Sequence, residues 1–144
     1  RDVFVVPLQS WYSASFDLTE PFPDPKSMQD HHAKFPIDKH QQVWRYMLAL
    51  NREHLAKPYH GDVITCSHFV PRPNLPASMD KFERKTMGCL EIDDMLRDAR
   101  STCHIYGHTK YRFNGGSEGV VYVHSPLHLT VKNEARDPIL CVFN

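Results

Sequence analysis

The stretch Ser101-Thr-Cys-His104-Ile-Tyr-Gly107-His108-Thr-Lys110, followed by Gly119-Val-Val-Tyr-Val-His124-Ser-Pro-Leu127, decides how the rest of the chain is read. Cys103 to Tyr106 is a short apolar run of strand type that ends on a Gly-His pair. Gly107 lets the backbone turn without a Cβ, which sets His108 at the strand's end, where a ring nitrogen can reach a metal. Asn114-Gly-Gly116 signals a turn, and Val120 to Val123 reads as the next strand. A second strand ending on a histidine lies upstream, in Asp62-Val-Ile-Thr-Cys-Ser-His68-Phe-Val-Pro-Arg72. Two strands that each deliver a histidine at their C-terminal end predict an α/β fold with its site where parallel strands stop.

Outward from these strands, Asp2 to Leu8 is unbroken in its apolarity and predicts a strand covered on both faces. Residues 17 to 37, with Pro21, Pro23 and Pro25 among acidic residues, predict a long loop of the kind that serves as lid or interaction surface, with His31 and His32 solvated. Asp38 is placed to cap a helix running to about Leu55, whose core stripe is Val43, Trp44, Met47, Leu48, Asn51 and Leu55. Pro58 stops that helix, and Gly61 turns the chain into the strand Asp62 to Cys66. Gly61-Asp62 is not a metal motif, because Asp62 stands at the strand's entry whereas His68 stands at its exit. Pro71, Pro73 and Pro76 hold an extended segment that carries Arg72, a fixed cation suited to phosphate oxygens. Glu91 to Ala99 predicts a helix with Ile92, Met95, Leu96 and Ala99 inward; Asp93 and Asp94 in its first turn suit the helix dipole rather than catalysis. Asp137 to Phe143 predicts a last strand. With no repeat, low-complexity tract or linker, residues 1–144 form one domain or part of one.

Composition narrows the classes. Among 144 residues, 17 basic and 17 acidic side chains cancel, so no whole-chain field draws the protein to nucleic acid or to an anionic membrane. No apolar run approaches the roughly 20 residues of a membrane span, and no signal-peptide pattern opens the chain. Ten histidines raise the weight of metal or acid–base chemistry. Three of the four cysteines, Cys66, Cys89, Cys103 and Cys141, fall in apolar, strand-like runs, which favours free thiols in a reducing intracellular compartment, cytoplasm or organelle, over a disulfide framework.

Val63-Ile-Thr-Cys-Ser-His-Phe-Val-Pro-Arg72, then His104-Ile-Tyr-Gly-His-Thr-Lys-Tyr111 and Gly119-Val-Val-Tyr-Val-His-Ser-Pro-Leu127, together resemble the C-terminal half of a calcineurin-like metallophosphoesterase. The opening Val5-Val-Pro-Leu-Gln-Ser-Trp-Tyr12 with Ser15-Phe-Asp17 is similar to the plant, algal and protist branch of that family. The resemblance implies a four-layer sandwich, two packed mixed β-sheets flanked by helices, and hydrolysis of a phosphorylated substrate at a site of two divalent ions, manganese, iron or zinc. It implies that His68 and His108 ligate the same one of those ions; beside it, the residues themselves lead to the expectation that Arg72 holds the phosphate during catalysis, and that Lys110, which departs from the family, repels an ion or contacts the substrate.

The sequence departs from the family in three places. Lys110 stands where the Gly-His-x-His motif places a second histidine, and His124 stands where relatives often carry Gln; His124 is expected to support the site or the fold. The Asp-x-His, Gly-Asp and Gly-Asn-His motifs, which supply the carboxylates, precede the matched region in the family. The chain is therefore expected to be a piece of a longer protein. Two further readings compete: a phosphoesterase-like subunit kept for its structure within a larger assembly, and a zinc site built from Cys66, His68, Cys103 and either His104 or His108.

Overall fold

The computed structural model describes residues 1–17, 34–38, 41–78 and 81–126. Most of the expected 17–37 loop, with His31 and His32, and the expected strand at 137–143 lie outside the described residues. The chain is mixed α/β, a five-stranded sheet flanked by helices, in the strand order β1-β2-β3-β5-β4. The strands are β1, Val3–Pro7; β2, Asp62–Cys66; β3, Cys103–Ile105; β4, Phe113–Ser117; and β5, Val120–His124. The pairings β1·β2, β2·β3 and β3·β5 are parallel, and β4 runs antiparallel on β5.

The helices are α1, Val43–Ala49; α2, Arg52–Leu55; α3, Lys81–Arg84; and α4, Glu91–Asp98. Because β1, β2 and β3 advance one position at a time, right-handed crossovers bring their connecting helices to the same face of the sheet. The burial agrees: Leu48, Ile92, Leu96 and Ala99 pack with Val6, Val63 and Tyr122 in one cluster. The opposite face holds a smaller cluster, Ile64, Cys103 and Val123, to which no described helix contributes. That face ends in exposed valines, Val3, Val5 and Val121.

Four expectations change. The single helix from Asp38 to Leu55 is two short ones, α1 and α2, separated at Leu50 and Asn51. Asn51 is completely buried, and its side-chain amide exchanges two 2.8 Å hydrogen bonds with the backbone of Gln9, so this residue fastens the helix pair to the end of β1. Asp38 caps neither helix; Gln42 stands at the α1 N-terminus without a side-chain cap. The turn expected at Asn114-Gly-Gly116 lies inside β4, and the reversal falls at Glu118-Gly119, both with positive φ, as a two-residue hairpin of the primed type requires. Finally, β1 is an edge strand whose Val5 is 65% exposed, so the apolar run at the N-terminus is not covered on both faces.

Candidate functional site

Parallel register aligns the exits of the central strands: Pro7 pairs with Cys66, Cys66 with Ile105, and Ile105 with Val123. The two loops leaving β2 and β3 therefore start side by side. His68 stands two residues beyond β2 and His108 three beyond β3, and their rings meet: His68 Nε2 lies 2.9 Å from His108 Nδ1, with ring centroids 4.9 Å apart at 72°. The loops touch through backbone as well, since the Gly107 N–H donates to the His68 carbonyl.

Gly107 matters here for a reason other than the expected one. Its φ is not in the left-handed region; instead a Cβ at this position would lie 3.1 Å from the His68 carbonyl oxygen and 3.4 Å from His68 Nδ1. The missing side chain allows close approach, and His108 itself makes the turn, with φ +63. A non-glycine residue in that region carries a conformational cost of about 1–2 kcal/mol, and such costs concentrate at functional positions.

The pair is held in its uncharged form. Burial pushes His108 down to about 4, with the charge of His68 adding to it; a backbone hydrogen bond with Thr86 works in the other direction. The Phe69 ring, centred 4.6 Å from the His108 ring and 5.0 Å from that of His68, contributes to this apolar setting. Burial, and then the charge of His124, lower His68 as well. The Thr86 backbone bond favours the protonated ring, and His108 Nδ1 already faces His68, so the bond falls to His108 Nε2–H. That leaves a lone pair on His108 Nδ1, to which His68 Nε2–H donates.

Two imidazole nitrogens bound at 2.0–2.1 Å to one ion, at a right angle, stand about 2.9 Å apart, so the spacing suits two adjacent ligands of a single ion. For His68 the exchange needs a shift of its hydrogen from Nε2 to Nδ1 and a turn of the rings that aims both lone pairs at the ion. Among the described residues no third His, Cys, Asp or Glu joins them in a cluster. The residues present fit half a coordination sphere for one ion and do not by themselves fit a site for two.

Behind this pair stands a buried polar chain that sequence reasoning did not find. His104, on β3 and fully buried, has Nδ1 2.8 Å from Thr65 Oγ1 and Nε2 3.1 Å from Ser67 Oγ. Ser67 Oγ donates its hydrogen to the Phe69 carbonyl, so His104 Nε2–H donates to Ser67. Burial lowers His104 to about 4, which keeps the ring neutral. Thr65 Oγ1 continues to Ser101 Oγ at 2.8 Å. The signal was available in the pleat: Thr65 pairs with His104 in register, on the face that the helices cover.

The same alternation removes His104 from the zinc reading, and with either histidine no group of three or more His, Cys, Asp or Glu that could hold an ion occurs among the described residues. Cys103 and His104 are consecutive strand residues on opposite faces, Cys103 in the small cluster and His104 in the hydroxyl chain. Cys66, Cys89 and Cys103 are free thiols, all held above the ordinary thiol range by burial.

Arg72 is not brought to the histidines. Its guanidinium makes two 2.9 Å hydrogen bonds to the carboxylate of Glu118, lies 3.7 Å from Asp93 Oδ2, and sits 6.0 Å from the centre of the Tyr122 ring. Arg97 joins the group, bonding both Asp93 and Glu118. Glu118 lies in the turn before β5, the end opposite the strand exits; Val120 to His124 spans about 13 Å at about 3.3 Å per residue. Lys110 is exposed two residues after His108, with no ion-pair partner among the described residues. His124, by contrast, is buried beneath the His108 loop, with Nδ1 2.7 Å from the Tyr106 carbonyl and Nε2 2.8 Å from that of Thr109.

Comparison with known protein families, with curated proteins and with solved structures finds no match for this chain.

Proposed function

We propose that this chain is the C-terminal part of a calcineurin-like, metal-dependent phosphoesterase, in which His68 and His108 are two ligands of one divalent ion. The observation that carries the reading is the 2.9 Å approach of two neutral imidazoles at the exits of adjoining parallel strands. When bound, a manganese, iron or zinc ion there supplies Lewis-acid polarisation of a phosphate ester. His68 and His108 would hold it, Phe69 would limit water on one side, and Lys110, exposed and without an ion-pair partner among the described residues, would contact the phosphate of the substrate. Remaining ligands, a second ion and a second sheet on the face bordered by Val3, Val5 and Val121 complete the four-layer sandwich. The free thiols support a reducing intracellular compartment.

Arg72 enters this proposal as a structural cation, because Glu118 and Asp93 already occupy it. A second reading, a phosphoesterase-like subunit serving a larger assembly, is favoured by the same fact and by Lys110 in place of a ligand.

Manganese-dependent hydrolysis of p-nitrophenyl phosphate, measured alongside Mn²⁺ binding by calorimetry, tests the proposal. The full-length protein that carries the remaining ligands binds Mn²⁺ and hydrolyses the ester; His108→Ala and His68→Ala in it each lose at least about tenfold in ion affinity and lose hydrolysis, with circular dichroism unchanged. Binding without hydrolysis in the wild type selects the assembly subunit. Affinity unaffected by either substitution rejects the metal site.

A further inference from the structure

We propose that His124 is a positioning residue that clamps the His108 loop by donating from both ring nitrogens at once, to the Tyr106 and Thr109 carbonyl oxygens. It ends β5, is buried, and meets these oxygens at 2.7 and 2.8 Å. Backbone carbonyls only accept. A neutral imidazole carries one N–H, so in that form it would hold its other lone pair against an oxygen at hydrogen-bond distance. Both bonds are made only when each nitrogen bears a hydrogen. His104 differs in its partners, since its ring nitrogens face the hydroxyls of Thr65 and Ser67.

The two carbonyls bracket Gly107-His108, one residue before the pair and one after. A rigid ring spanning them fixes the chord of the turn in which His108 takes its left-handed backbone conformation. The Tyr106 ring stacks on the imidazole at 5.2 Å and 30°, which leaves the clamp little freedom to rotate. His124 thereby acts on His68 and His108 without touching whatever they bind. Its consequence for an ion rests on the metal reading given above; the clamp does not.

Side-chain ¹⁵N–¹H correlation spectra of the metal-free protein show hydrogens on both nitrogens of His124. A His124 nitrogen without its hydrogen overturns the proposal. Two variants supply the functional arm. His124→Gln keeps two N–H donors on one amide nitrogen, whereas His124→Leu keeps none. The Leu variant weakens Mn²⁺ binding about tenfold and the Gln variant stays within about twofold of wild type, a size typical of groups that orient a ligand. Equal losses in the two variants, or no loss in the Leu variant, reduce His124 to ordinary core packing. If the wild type binds no Mn²⁺, the metal reading fails and the spectra alone decide the clamp.

Discussion

His104 and His124 lie on neighbouring parallel strands, and each steadies the loop that carries one member of the His68–His108 pair, yet their partners differ in kind. His104 is enclosed by the hydroxyls of Thr65 and Ser67, and burial keeps its ring neutral. His124 is enclosed by two carbonyls and demands two donors. Residue type alone does not decide the protonation state of an imidazole; desolvation, nearby charges and hydrogen-bond partners do. The loop behind His68 is accordingly supported by hydroxyls around a ring that burial keeps neutral, and the loop behind His108 by a ring held between two carbonyl acceptors.

The largest effect that separates these supports is the acid dependence of stability. An unfolded chain protonates His104 near 6.5, whereas the folded protein keeps it neutral down to about 4. Between those values the unfolded state binds more protons, so stability is full above about 6.5 and falls as the pH is lowered toward about 4. A shift of this size corresponds to a loss on the order of 3 kcal/mol. His108, held down to about 4 by burial but less enclosed, adds in the same direction. Urea unfolding at pH 7 and pH 4.5 measures the loss. His104→Gln is less stable at pH 7 but loses less on acidification than the wild type; identical slopes in the two proteins contradict the buried neutral ring.

A smaller effect is expected at the other end of the sheet. Arg72→Gln removes one of the two guanidinium partners of Glu118 and Asp93, Arg97 remaining, and lowers the thermal midpoint slightly. Mn²⁺ affinity at the histidine pair stays as in the wild type, because the ion cluster lies a strand's length from it. Unchanged stability with lost hydrolysis would return Arg72 to the phosphate.

What the sequence made legible follows the same division. β2, β3, β5 and α4 were readable because their apolar spacing matches the pleat and the helical turn, and Ile92, Leu96 and Ala99 are buried as that spacing requires. The meeting of His68 and His108 was readable because two strand-end histidines in a parallel sheet have few places to go. The engagement of Arg72 was not, since Glu118 is 46 residues away and a charge pattern along the chain carries no information about pairing at that distance. Nor was the break in the first helix, which Asn51 makes by bonding the backbone of Gln9. Asn114-Gly-Gly misled because its turn chemistry is strong, while the true reversal at Glu118-Gly119 looks ordinary until β4 pairs with β5.

The smallest expected effect concerns the His108 backbone, and it needs a difference between two substitutions rather than either alone. Removing the imidazole takes away its contact with Phe69 and its bond to His68, whichever small residue replaces it. Alanine must still occupy φ +63 with a Cβ, whereas glycine enters that region without steric cost. Glycine also makes the unfolded chain more flexible, which offsets part of its advantage. On balance His108→Gly is more stable than His108→Ala by about 0.5–1 kcal/mol, against the reverse order at an ordinary helical or strand position. Urea unfolding of the two variants measures it. Because both variants lack the imidazole, the difference isolates the left-handed turn itself, the conformation that the His124 clamp encloses between two carbonyls; an alanine variant as stable as the glycine one means that the loop relaxes once the ring is gone.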